Sequence, residues 1–186
     1  MWDTSRFTKS TWTKEDGFVA VRDMWLSSNS PCLFIVIYAP QSIQKKKSLW
    51  LELNGIITIN DCLTITLGGF NEVWYDSQRL GSNFCCRGAI LFNDFISSTG
   101  LLEIPLGGMR FTRSNRAGNK LSKLDRFLVS PKFMERWPNA YAFTLTQEYS
   151  DHTPILFHMS SDDFGPVPFR LYKSWLLLPN FWSILF

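Results

Sequence analysis

The sequence predicts a layered α/β domain, and three observations carry that expectation. Short β-branched apolar runs read as strands, amphipathic helical patterns lie between them, and glycine or proline punctuates the joins. At 186 residues, 45% hydrophobic and 16% aromatic, the chain can bury one sizeable core, which argues against disorder. The expected organisation is a domain over residues 1–160 and a linker or tail over 161–186.

Taken in order, residues 17–21 and Cys32–Tyr38 read as strands, the second apolar throughout and buried on both faces. Pro40 stops that strand. Leu49, Trp50, Leu53, Ile56 and Ile57 then fall on one face of a helix, with Ser42 as its N-cap and Lys45, Lys46 and Lys47 on its solvated side. Leu63, Ile65 and Leu67 alternate with Thr64 and Thr66 as a strand, which Gly68 and Gly69 are expected to turn before the polar Asn71. Ala89, Phe92, Phe95 and Ile96 predict a second helix closed by Gly100. After a turn at Pro105, Gly107 and Gly108, residues 110–123 form a basic loop carrying Arg110, Arg113, Arg116, Lys120 and Lys123. Residues 123–129 read as a strand, Pro131–Trp137 as a short helix, and 140–146 and 155–159 as strands.

A net charge of +3 does not by itself imply a polyanionic partner, so the placement of the basic residues matters more. Cys32, Cys62, Cys85 and Cys86 lack C-x-x-C spacing and accompany only two histidines, which indicates neither a zinc site nor a disulfide framework. They are expected to be reduced, mostly buried thiols. The N-terminus lacks the apolar core of a signal peptide, and no apolar run reaches the roughly 20 residues of a membrane span. An intracellular protein, nuclear or cytoplasmic and without a membrane partner, is expected. The apolar run over residues 175–186, interrupted by Pro179 and Asn180, is expected to dock a missing downstream domain.

Three strand-end loops carry groups suited to chemistry: Asn71, Asp125 and the pair Asp151-His152. Phosphodiester hydrolysis needs cations to take up phosphate charge, a base for water, and a group that orients the base. Asn, Asp and His supply part of that set. The same residues also fit a structural role, with Asn71 and Asp151-His152 as turn formers and Asp125 paired with Lys123 or Arg126.

Four stretches in series resemble one family: Tyr38-Ala39-Pro40, Gly68-Gly69-Phe70-Asn71-Glu72-Val73, residues 122–130 (Ser122 to Ser130), and Ser150-Asp151-His152-Thr153-Pro154-Ile155. Together with Asp16 to Val21, Asn93 to Ile96, Phe111-Thr112 and Gly165 to Arg170, they resemble the endonuclease/exonuclease/phosphatase superfamily. The likeness is nearest to the endonuclease domain of plant LINE-type non-LTR retrotransposons, where it is associated with a reverse transcriptase. The resemblance implies a DNase I-like four-layered α/β sandwich with two facing mixed sheets, here lacking the first strands, and a Mg²⁺-dependent site that nicks DNA. By the same resemblance, Tyr38 contacts the scissile phosphate and Asn71 holds the attacking water or a phosphate oxygen. His152 handles a proton and contacts phosphate, Asp125 orients it, and Asp151 positions water or the metal. Thr112, Arg113, Arg116, Lys120 and Lys123 would lie along the DNA backbone; a merely solvated loop is the alternative.

The departures from the family pattern are specific. Gly69 stands where the motif Gly-Asp-Phe-Asn carries its aspartate, and Arg113 stands where a tryptophan is usual. The segment that supplies an early Asn and the metal-ligand Glu has no counterpart before Met1. Three readings follow: an endonuclease-like domain with impaired catalysis, a non-catalytic nucleic-acid-binding or scaffold module, and an active phosphoesterase in which Glu72 or Asp76 replaces the missing carboxylate.

Overall fold

The structure, a computed structural model, describes residues 7–26 and 29–159. The tail over 161–186, with its apolar run and the matched stretch Gly165 to Arg170, lies outside the described residues.

A six-stranded mixed sheet forms the centre of the fold. Its strands are β1 (Phe7–Glu15), β2 (Phe18–Trp25), β3 (Ser30–Tyr38) and β4 (Leu63–Gly69), and later in the chain β6 (Leu102–Glu103) and β10 (Asp125–Val129), in the order β1-β2-β3-β4-β10-β6. Within this sheet, among the described residues, the β3–β4 pair alone is parallel, and α1 (Ile43–Ile59) makes that crossover. Along β3, Leu33, Ile35 and Ile37 face the helices, where they pack with Leu49, Trp50 and Leu53 of α1 and with Phe92 and Phe95 of α2 (Cys86–Thr99). Trp50 stacks on Phe95 at 5.0 Å between ring centroids, which locks the helix pair together.

The other face of the large sheet carries Cys32, Ile65, Phe127 and Val129. Against it lies a three-stranded sheet of β7 (Leu106–Gly107), β11 (Tyr141–Thr144) and β12 (Ile155–His158), ordered β12-β11-β7, with Phe127 stacked on Phe157 at 5.0 Å. Two facing sheets thus enclose a second core, closed at one end by Phe133 of α3 (Pro131–Arg136). Helices, large sheet and small sheet stack in turn, as the expected α/β sandwich of two facing mixed sheets requires. A third small sheet, β5 (Arg79–Leu80), β9 (Leu121–Ser122) and β8 (Arg113–Ser114), projects from the strand ends. No helix among the described residues is long and apolar enough to cross a membrane.

Several local expectations change. The strand at β3 is not buried on both faces along its length, because Val36 and Tyr38 are exposed beyond Phe34. Ser42 holds the N-cap position of α1, but its hydroxyl donates to Gln44 Oε1 instead of capping a backbone N–H. Lys46 is buried, whereas Lys45 and Lys47 are exposed as expected. Its Nζ bonds Glu72 Oε2 at 2.8 Å and the carbonyl of Asn71 at 2.6 Å. The basic stretch 110–123 is a β8–β9 hairpin, not a loop. All four cysteines are free, but only Cys32 and Cys62 are buried. Gly100 does close α2 in the left-handed conformation, at φ 65°.

Gly68 and Gly69 are still in the sheet. Gly68 has φ +120°, and a Cβ there would lie 2.1 Å from the Ile37 carbonyl oxygen, so glycine is required. The chain turns one step later, at Phe70 and Asn71, with Asn71 at φ +51°.

Candidate functional site

Three strand ends define the site. Gly69 pairs with Tyr38 on one side and with Asp125 on the other, so the end of β3, the end of β4 and the start of β10 lie side by side. A Cβ on Gly69 would sit 3.4 Å from Asp125 Oδ1 and 3.7 Å from Tyr38 Cδ2. The position therefore has room for a side chain and carries none. Tyr38 presents its ring to solvent, at 73% exposure.

Asp125 is held from behind by Thr112, whose Oγ1 accepts the backbone N–H groups of Leu124 and Asp125, each at 2.9 Å. The Thr112 carbonyl accepts the N–H of Thr153 at 2.6 Å, which brings the 150s loop to the same place. There His152 Nδ1 meets Asp125 Oδ2 at 2.8 Å. Such a carboxylate fixes the imidazole's tautomer, leaves Nε2 for an incoming group, and supports a charge on the ring. His152 also forms a β-bridge with Arg113 of β8, and its N–H donates to Ser150 Oγ at 3.1 Å.

Asp151 does not join the His152–Asp125 pair. Its Oδ2 accepts a hydrogen bond from Arg113 Nε at 2.9 Å, and its carbonyl accepts the N–H of Ser114 at 2.9 Å. The hydrogen bond from Arg113, more than the Coulomb attraction of that guanidinium, holds the Asp151 carboxyl below its ordinary pKa. Gln147 completes the stitching of this loop to β8 by bonding Ser114 Oγ and the Ser150 carbonyl.

The remaining expected residues divide. Asn71 is buried, and its Nδ2 donates to the Ala39 carbonyl at 2.5 Å, so its amide braces the turn. Thr112 is 0% exposed, which corrects its expected place on a DNA-facing surface: it supports Asp125 from beneath. Lys123 turns away from the hairpin surface to pair with Glu103 Oε1 at 3.1 Å. Arg113, Arg116 and Lys120 are exposed on the hairpin. Asp125 pairs with His152, and not with Lys123 or Arg126. Arg126 is fully buried between Glu103 Oε1 and Gln78 Oε1, and burial lowers its pKa despite Glu103. The buried Lys46–Glu72 pair, with Arg79 at 4.0 Å from Glu72, was missed in the sequence. Its signal was there, since Lys46 precedes Leu49 and Trp50 by three and four residues on the apolar face of α1.

The donor set is a poor match to Mg²⁺. Among the described residues no three His, Cys, Asp or Glu side chains converge on a common point. Asp151 is already engaged by a guanidinium, and Asp125 by an imidazole. Arg113 holds Asp151 through Oδ2, so a divalent ion on the other oxygen would lie beside the positive charge of the guanidinium.

Facing sheets flanked by helices, with a His–Asp pair at the strand ends, place the chain in the DNase I-like class of fold. Solved structures of endonuclease/exonuclease/phosphatase proteins share it. The endonuclease domain of TRAS1, a telomere-specific non-LTR retrotransposon, superposes with TM-score 0.61 at 12% identity, covering 87% of this chain and 72% of that one. An endonuclease/exonuclease/phosphatase protein of Bacteroides vulgatus gives TM-score 0.59 at 10% identity, covering 86% and 69%. The mannosyl-6-phosphatase Bt3783 of Bacteroides thetaiotaomicron gives 0.57 at 13%, covering 86% and 69%. No protein-family model and no curated protein matches the sequence.

Proposed function

We propose that this chain is a retrotransposon-derived, endonuclease-like domain in which the ancestral Mg²⁺-dependent nicking of DNA is impaired. One observation carries the reading: the position between Tyr38 and Asp125, where the resemblance expects an aspartate, would accept a Cβ in ordinary contact and holds Gly69. The His152–Asp125 pair, which the resemblance casts as base and orienter, is assembled beside it. Removing a positioned acid or base costs a factor of about a hundred to ten thousand in rate. Glu72 is no substitute, because it is buried and clamped by Lys46. Such a protein works where DNA is met, in the nucleus or the cytoplasm. Incubating supercoiled plasmid with the full chain and Mg²⁺ is expected to give no nicking above a protein-free control. Nicking that disappears in His152→Ala would overturn the reading.

The second reading, a non-catalytic nucleic-acid-binding module, is favoured by the exposed Arg113, Arg116 and Lys120 on one hairpin. It expects duplex binding that weakens with salt and is lost when the three are neutralised. No binding at low salt would eliminate it.

A further inference from the structure

We propose that Arg113, and not a divalent cation, receives a nucleic-acid backbone phosphate at this strand-end site; the proposal rests on the nucleic-acid reading above. The hydrogen bond from Nε to Asp151 Oδ2 at 2.9 Å uses one donor position of the guanidinium and fixes its plane. Its two terminal nitrogens make no hydrogen bond among the described residues. They leave a forked pair of donors of the geometry that matches two phosphate oxygens. The Arg113 and His152 side chains are 45% and 31% exposed, and their backbones are bridged, so both open on the same rim. Asp125 lies beneath His152, and the exposed Tyr38 stands at the neighbouring strand end, paired with Gly69. Each carboxylate at the site is engaged through Oδ2, Asp151 by the Arg113 guanidinium and Asp125 by the His152 imidazole, and a metal on Asp151 would have to sit against the positive charge of Arg113. Backbone phosphate contacts of this kind fix position without reading sequence.

The test is fluorescence anisotropy of the full chain with a short labelled DNA duplex, in Mg²⁺ and in EDTA at matched ionic strength. Affinity is expected to agree within about twofold between the two conditions, with Arg113→Gln weakening binding about tenfold. Arg116→Gln, a charge loss elsewhere on the hairpin, is expected to cost about threefold or less. Asp151→Asn removes the negative charge beside the guanidinium and is expected to tighten binding, with the Ser114 amide resonance near its parent position as the check that the loop is intact. Binding that collapses in EDTA, an Arg113→Gln effect no larger than that of Arg116→Gln, or weaker binding by Asp151→Asn would each overturn the proposal. Plasmid nicking in Mg²⁺ would instead overturn the impaired-endonuclease reading, leaving the EDTA comparison to decide this one.

Discussion

Adjacent glycines at the end of β4 answer to different constraints. Gly68 has a positive φ and a carbonyl in the way of any Cβ, so Gly68→Ala is expected to cost about 1–3 kcal/mol from backbone strain alone, with the clash in addition. Gly69→Ala, which has ordinary space, is expected to unfold in urea close to the parent. Equal losses in the two variants would refute that contrast. Beneath them, Thr112→Val leaves the buried Leu124 N–H and the half-buried Asp125 N–H without an acceptor and is expected to destabilise by about 1–3 kcal/mol, while Thr112→Ser keeps the oxygen and most of the stability. Burial pushes the Cys32 thiol up to about 12, and burial also raises Cys62. A thiol reagent at neutral pH is therefore expected to label the exposed Cys86 promptly, and Cys32 and Cys62 only on unfolding. Prompt labelling of all four would contradict the packing around β3.

Between elements, charged groups make the decisive contacts. The Lys46–Glu72 pair ties α1 to the turn after β4. Lys46→Met leaves the buried Glu72 carboxylate with only Arg79 at 4.0 Å as a cationic partner and is expected to cost about 3 kcal/mol, much of it recovered when Glu72→Leu is added. Simple additivity of the two losses would argue against the pair. Arg113–Asp151 ties β8 to the 150s loop, and its pH dependence has a definite sign. The Asp151 pKa is lowered in the fold, so this tether is intact above the ordinary carboxylate pKa and is lost as pH falls through the depressed value. The Ser114 amide resonance, whose N–H bonds the Asp151 carbonyl, should move over that acidic window in the parent and stay flat in Asp151→Asn. Long periodic elements such as β3, α1, β4 and α2 were legible because burial imposes one period on many residues. β1 was not, since its threonines and lysines form a polar outer strand, and the two-residue strands β5 to β9 are too short to carry a period. The Asp125–His152 contact spans 27 positions and depends on Thr112 and the Arg113 bridge, so spacing alone could not reveal it. Resemblance paired those two residues, but it misplaced Thr112 on the surface.

Across the whole molecule, two cores share one sheet. β3 faces the helices through Leu33 and Ile35 and the small sheet through Cys32, and β10 does the same through Leu128 on one side and Phe127 and Val129 on the other. Neither core can melt without uncovering the other's wall. Far-UV circular dichroism and tryptophan fluorescence, with Trp50 in one core and Trp25 and Trp137 in or against the other, are expected to report one coincident thermal transition. Separate midpoints would mean that the layers fold independently. The vacant space at Gly69 also has a genetic consequence. Every glycine codon lies one base change from a codon for an acidic residue, and neither the backbone nor the neighbours of Gly69 forbid a Cβ there. An acidic residue at this position is thus a single base change away, reversible in either direction.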